Sequence, residues 1–340
     1  MSPKTILAAL FATPLLFAAP KADAGQTLDA IRARGVFKCG VGTGTPGFGF
    51  PDDKGVWQGF NAVVCRAIAV ALFGDASKVQ MVQLTAQQRF PALQLGEVDA
   101  IAGNTTATLL RDTQLGFNFA PVVFYDGQAL MVPKKLGVSK ATELNGATVC
   151  VQPGTTTELN LTDFFRKNKM SFTPVVIENV AEVRAAFFNG RCDVYSTDAS
   201  LLAGARAANP KADDFVILPE RISKEPLAPL VRHGDDQWLD IVKWTVNAMI
   251  EAEELGIDST NVDQMLSSAD PNIRRFLGVE PGLGQALGLD QKFAYNIIKQ
   301  VGNYGENYER WVGPKSVLKI DRGLNELWSK GGLLYSQPFR

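Results

Sequence analysis

Two series of alternating strand and helix patterns, each followed by a long extended run, constrain this 340-residue chain more than any other feature. In the first series, residues 36–41 read as a short strand ending in the Gly-rich loop 42–49, and residues 60–72 carry apolar side chains at helical spacing. Residues 79–84 alternate like a strand, 86–95 read as a helix stopped by Gly96, and 98–102 form another short strand. The second series reads as strand 147–151, helix 158–168, strand 173–177, helix 180–189 and strand 192–196. Repeated strand, helix, strand order argues for α/β sheets, and there are two sets of it. The extended runs 122–133 and 226–232 are placed to cross between the two units and back. Two crossings make a two-strand hinge, and such hinges permit closure around a ligand. From Gln237 onward the pattern is mostly helical, with Trp238, Trp244, Trp311 and Trp328 at positions that suit packing.

The first residues read as an export signal. Lys4 precedes an apolar run from Ile6 to Ala19, and Ala22-Asp23-Ala24 supplies a small-x-small cleavage site. That run is about 14 residues and is interrupted by Pro14, too short to span a bilayer. Residues 1–24 are therefore expected to be a signal peptide removed on export, with no Cys at the cleavage site to carry a lipid anchor. A mature chain of roughly 315 residues suits two domains.

Export alters how the cysteines read. Cys39, Cys65, Cys150 and Cys192 form an even set that can pair in an oxidising compartment. Pairing Cys39 with Cys65 and Cys150 with Cys192 keeps each bridge within one unit; two other connectivities and four free buried thiols are the alternatives. With His233 the sole histidine and no CxxC, the chain offers no zinc set, and no cofactor is expected. Residues 1–24 hold Lys4, Lys21 and Asp23, so the totals of 34 basic and 35 acidic residues fall to 32 and 34, a net charge of −2. That balance recruits neither nucleic acid nor an anionic membrane.

Recognition chemistry gathers in two hydroxyl-rich stretches. In Gly103-Asn104-Thr105-Thr106-Ala107-Thr108-Leu109-Leu110-Arg111, Arg111 offers a planar fork suited to a carboxylate. Thr106 follows a short strand, and open α/β sheets bind ligands at the carboxyl ends of strands. A plainer use of the same residues is helix capping by the threonines and a surface ion pair for Arg111. In the second stretch, Pro153-Gly154-Thr155-Thr156-Thr157-Glu158, Gly154 permits a tight turn and the threonines open a helix whose free N–H groups accept an anion. It lacks the lysine of a phosphate-binding P-loop. Asp198 follows a strand and could take an ammonium, although capping the helix that begins at Ala199 would also explain it. Phe48, with Trp57 nearby, could supply an apolar wall or simply pack in the core.

Across the whole expected mature chain the sequence resembles the periplasmic solute-binding proteins of amino-acid ABC transporters, and within them the general L-amino-acid-binding branch. The matching blocks include Trp57-Gln58-Gly59-Phe60-Asn61, Phe90-Pro91-Ala92-Leu93-Gln94-Leu95-Gly96-Glu97-Val98-Asp99, and Cys150-Val151-Gln152-Pro153-Gly154-Thr155-Thr156-Thr157-Glu158. Gly190-Arg191-Cys192-Asp193-Val194-Tyr195, Ile222-Ser223-Lys224-Glu225-Pro226-Leu227 and Gly302-Asn303-Tyr304-Gly305-Glu306 continue it. The resemblance implies a type II periplasmic-binding-protein fold: two α/β lobes with mixed sheets, joined by two hinge strands, plus a helical C-terminal extension. Lobe 1 would comprise residues 25–129 and 231–340, and lobe 2, with the two hinge crossings, residues 130–230. It also implies ligand-binding roles for Phe48, Asn104, Thr106, Arg111, Thr155, Thr156 and Asp198, with carboxylate on Arg111 and ammonium on Asp198. Asn61 departs from the family's usual Asp, at a position expected to orient the first helix and not the ligand.

The implied function is a monomeric periplasmic receptor of broad specificity that closes on a free L-amino acid, polar or acidic ones preferred, and presents it to an ABC permease. An enzyme on the same scaffold, a dehydratase or lyase, is the alternative, because fold alone does not fix chemistry. Against it, no Ser-His-Asp or metal set can be assembled from these residues. A sensory two-lobe module is a third possibility that would need a separate signalling partner.

Overall fold

The computed structural model describes residues 25–340, so the expected export segment lies outside the described residues. Helix Gln26–Arg34 leads into strand Phe37–Val41, which pairs in parallel with Val79–Gln83 on one side and Ala100–Ile101 on the other. Leu230–Arg232 then joins antiparallel to Ala100–Ile101, and Phe117–Phe119 completes a mixed five-stranded sheet. Phe37, Cys39 and Val41 are fully buried because this central strand is covered on both faces. Helix Phe60–Phe73 covers one of those faces and is itself overlaid by helices Asp236–Glu254 and Phe293–Val301. That double burial is why its sequence is apolar almost all round.

A second mixed sheet orders Thr173–Val176, Thr148–Val151, Val194–Asp198, Gln128–Pro133 and Phe215–Ile217. The first three are parallel, and Gln128–Pro133 runs antiparallel to both of its neighbours. Period-two alternation along that strand builds two separate cores: Ala129 and Met131 join one with Phe187 and Leu202, and Leu130 and Val132 join the other with Leu161 and Phe165. The two expected disulfides are present. Cys39–Cys65 ties strand Phe37–Val41 to its covering helix, with Cα atoms 6.0 Å apart, and Cys150–Cys192 ties strand Thr148–Val151 to the stretch just before strand Val194–Asp198 at 5.7 Å.

Between the sheets run the two crossings. Phe124–Asp126 and Glu225–Leu227 form a two-stranded antiparallel ladder, with Glu225 opposite Asp126. Residues 105–107 flank the second strand, since Ala107 N–H donates to the Pro226 carbonyl and Ala228 N–H to that of Thr105. On the outer side of the first strand, Asn325 works as a surrogate backbone. Its Oδ1 accepts from Tyr125 N–H at 2.6 Å and its Nδ2 donates to the Tyr125 carbonyl at 3.1 Å.

Asn325 belongs to a tail that the sequence pattern misrepresents. Helices continue through Tyr304–Trp311, but beyond them only the short 3-10 turns Gly323–Asn325 and Trp328–Lys330 occur. Gly313-Pro314 stops the helix, because proline lacks an amide donor, and Gly331 adopts a positive φ that closes the last turn. Of the four tryptophans assigned to packing, Trp238 is fully buried whereas Trp328 is largely exposed.

Candidate ligand-binding site

The lobes meet across a cleft at the carboxyl ends of the parallel strands, the place where open α/β sheets bind ligands. Direct bonds cross it: Thr85 Oγ1 donates to Glu178 at 2.6 Å and Arg184 donates to the Gly44 carbonyl at 3.0 Å. Gly154, at φ +70°, turns so closely past Gln87 that a Cβ would lie 3.2 Å from its side chain. Asn104, Thr106, Thr155, Thr156 and Asp198 all line this cleft, together with Arg89, Thr43 and Gln152.

Asp198 is the last residue of strand Val194–Asp198 and the N-cap of helix Ala199–Ala207, yet its side chain makes no capping hydrogen bond. The plainer reading of this residue is thereby removed. Burial pushes its carboxyl well above the usual carboxylate range, the nearby carboxylates of Asp126 and Glu225 add to that, and Arg89 and Arg111 pull the other way. A buried carboxylate without a protein donor favours a cation. Asp193, by contrast, is structural, accepting from both the amide and the hydroxyl of Thr148.

Two guanidinium groups supply the opposite charge. Arg111 is buried, donates once to the Thr106 carbonyl at 2.8 Å, and lies over the Phe90 ring. It stands behind Thr106 and does not itself line the cleft; burial lowers its pKa, while Glu225 and Asp198 support its charge. Among the described residues, one of its five N–H groups has a partner. Arg89 does line the cleft and sits on the same ring, with its Nη1 on the Thr105 hydroxyl and a buried Nε that no protein group accepts. Burial and repulsion from Arg111 bring it down to about 9, so it remains charged at neutral pH. The sequence reading passed over Arg89 in Gln87-Gln88-Arg89-Phe90. Its signal was its place, just past the carboxyl end of strand Val79–Gln83.

The threonines are committed differently from the expectation. Of the threonines that a capping role could use, Thr108 caps helix Leu109–Thr113 and Thr105 and Thr106 do not. Thr155 caps helix Thr156–Lys167 and donates its hydroxyl proton to the Gln152 carbonyl. Thr106 and Thr156 both donate to Glu225, at 2.5 and 2.8 Å. Each hydroxyl carries one proton, so none of the three is left to donate to a ligand. What remains for an anion at the cleft is the first turn of helix Thr156–Lys167, where the N–H groups of Thr156 and Thr157 have no intrahelical partner.

Phe48 is not brought to the cleft. It is 1% exposed and packs edge-on against the Phe124 ring at 5.3 Å, because Gly59, at φ +103°, brings its backbone against that of Phe48. Thr43 and Thr45 represent its loop in the lining, and Trp57 stays in a short hairpin, Phe50–Pro51 with Trp57–Gln58, away from it. Asn61 also differs from its expected role. Its amide donates at 2.6 Å to the side chain of Asn104, a cleft residue held at φ +49°, so it supports the site as well as the helix.

Two lobes with mixed sheets, a two-strand hinge and a charged cleft between them define a type II periplasmic-binding-protein fold. The chain belongs to the bacterial extracellular solute-binding proteins, family 3, whose model matches residues 37–257. It is 53% identical over 342 residues to the general L-amino acid-binding periplasmic protein of Rhizobium johnstonii, covering 100% of both chains. It is 52% identical over 320 residues to a glutamate/glutamine/aspartate/asparagine-binding protein of Rhodobacter capsulatus, covering 94% of this chain and 95% of that one. A solved ABC transporter periplasmic binding protein from Brucella ovis, with glutathione bound, superposes with a TM-score of 0.90 at 52% identity, covering 92% of this chain and 99% of that one.

Proposed function

We propose that this protein is a periplasmic receptor that captures L-amino acids by closing its two lobes and delivers them to an ABC permease. The observation that carries the reading is the convergence on one cleft of Asp198, a buried carboxylate with no donor among the described residues, the lining guanidinium of Arg89, and that of Arg111 just behind Thr106, the donors of both largely unused. A free amino acid carries the complementary ammonium and carboxylate a few ångströms apart. Asp198 takes the ammonium; Arg111 and the Thr156 and Thr157 N–H groups take the α-carboxylate. Arg89 supplies a second cation, which favours acidic and polar side chains. The names of the Rhizobium and Rhodobacter relatives support an amino-acid ligand, and that of the Rhodobacter relative is consistent with this preference. Lobe 1 comprises residues 25–129 and 231–340, lobe 2 residues 130–230; the receptor acts as a monomer after removal of residues 1–24.

A second ligand class is favoured by the Brucella ovis structure with glutathione bound. Glutathione bears a free α-ammonium and α-carboxylate on its γ-glutamyl end, so the same head-group contacts would serve. The enzyme alternative gains nothing from the site: His233 lies outside the cleft lining and contacts Asp112 at the surface. Calorimetric titration with L-amino acids, their D-enantiomers and glutathione tests the reading. Saturable heat with L-glutamate, L-glutamine or L-aspartate and none with D-forms is expected; silence across the whole panel refutes it.

A further inference from the structure

Glu225 lies in the block Ile222-Ser223-Lys224-Glu225-Pro226-Leu227 and is absent from the cleft lining, yet four side chains from three parts of the molecule converge on it. Its Oε2 accepts from Thr106 of the first lobe and Thr156 of the second. Its Oε1 accepts from Asn160 Nδ2 at 2.8 Å and from Ser223 Oγ at 2.5 Å. Thr156 and Asn160 are one helical turn apart, so a single face of helix Thr156–Lys167 supplies both second-lobe donors. The carboxylate is 1% exposed and its backbone is fixed in the hinge ladder. Thr106 and Thr156 Oγ1 stand 3.5 Å apart across the cleft, and with both protons directed at Glu225 they do not bond each other. The carboxylate between them is what joins the lobes at this point.

We propose that Glu225 is the closure latch of this receptor: a hinge-borne positioning residue whose carboxylate draws the hydroxyl of Thr106 and the helix face of Thr156 and Asn160 together when the lobes shut. This rests on the reading of the cleft as a closing amino-acid site. A carboxylate accepting several donors holds them more strongly than a neutral group does. Separating the lobes would break the Thr156 and Asn160 bonds and leave the Glu225 carboxylate in a site shaped for four donors. The latch therefore raises the closed fraction, and with it the apparent affinity of every ligand, without reading any ligand's side chain. It also positions the cleft, because the hydroxyls it holds leave the Thr156 and Thr157 N–H groups, and not the Thr156 hydroxyl, to face an anion.

The test compares Glu225→Gln with the wild type in two measurements: the radius of gyration of the ligand-free protein by X-ray scattering, and calorimetric affinities for the same panel of L-amino acids and glutathione. The latch predicts a larger ligand-free radius for the variant and a loss of roughly tenfold or more in affinity, equal across ligands, as for one or more charge-assisted hydrogen bonds. An unchanged radius, or affinities within about twofold of the wild type, overturns it, as does a loss that differs from ligand to ligand. Should Glu225→Gln fail to fold, Asn160→Ala, on the helix surface, takes its place in the same comparison. If the wild type binds nothing in the panel, the amino-acid reading fails, and the scattering comparison alone decides the latch.

Discussion

Replacing Asp198 by Asn should make the protein more stable and nearly unable to bind. The side chain is 6% exposed, receives no hydrogen bond from the protein, and its carboxyl is pushed well above the ordinary carboxylate range by burial and by Asp126 and Glu225. An unpaired buried charge costs more than an unpaired neutral polar group, and Asn keeps the shape while leaving a polar amide in place, so on the order of 1 kcal/mol should return to the unliganded fold. With about 2–4 °C per kcal/mol for a chain of 150–250 residues, the melting midpoint should rise by a few degrees. Binding moves the other way. The ligand's ammonium would enter a buried site without its paired carboxylate, and removing one partner of such a pair costs about 3–5 kcal/mol. That corresponds to roughly two to four orders of magnitude in affinity. Differential scanning calorimetry and isothermal titration at neutral pH read both quantities. A variant that binds within about threefold of the wild type, or melts lower while losing affinity, would refute the assignment of Asp198 as an unpaired ammonium acceptor.

Other outcomes follow from the same geometry. Arg111→Ala should weaken every amino acid by about 3–5 kcal/mol, read by the same titration; an undiminished affinity removes Arg111 from the site. Affinity should fall as pH drops through the raised Asp198 pKa, because the protonated carboxyl cannot pair with an ammonium, and binding in that window should release a proton. Titrations in buffers of different ionisation enthalpy measure that release, and its absence contradicts the linkage. For the unliganded protein the sign is opposite: ionising Asp198 costs stability as pH rises from the ordinary carboxylate value through the raised one. Phe48→Ala should cost about 3–5 kcal/mol of stability, seen in denaturant unfolding, with little change in ligand affinity, since the ring packs on Phe124 and not on the cleft.

Much of this was legible in local pattern. Periodicity ends the strands that lead into the site near residues 102, 151 and 196, close to the observed ends at Ile101, Val151 and Asp198, and so places Thr106, Thr156 and Asp198 at or just past strand ends. Of the connectivities the sequence leaves open, the one that keeps each bridge within one unit is present. Other features lack a local signature. Arg89 looks like any cation opening a helix until the fold lays its guanidinium over Phe90 beside Arg111. Glu225 is 119 residues from Thr106 in sequence and 69 from Thr156, a convergence that only the hinge geometry creates. The fate of a hydroxyl proton is equally invisible, because whether Thr156 donates to a ligand or to its own chain depends on that distant carboxylate. Phe48 sits in a loop whose glycines leave its direction undetermined until Gly59 packs against it.

The pairing of Asn325 with Tyr125 gives the far C-terminal tail a consequence beyond packing. The family match ends at residue 257, so a chain cut there would seem to keep everything the fold requires. It would instead bare the N–H and C=O of Tyr125 on a strand with no other neighbour on that side. Unpaired strand edges recruit strands from other molecules. Such a truncation would turn the hinge ladder into a template for self-association, and the tail acts as the guard that keeps that edge private.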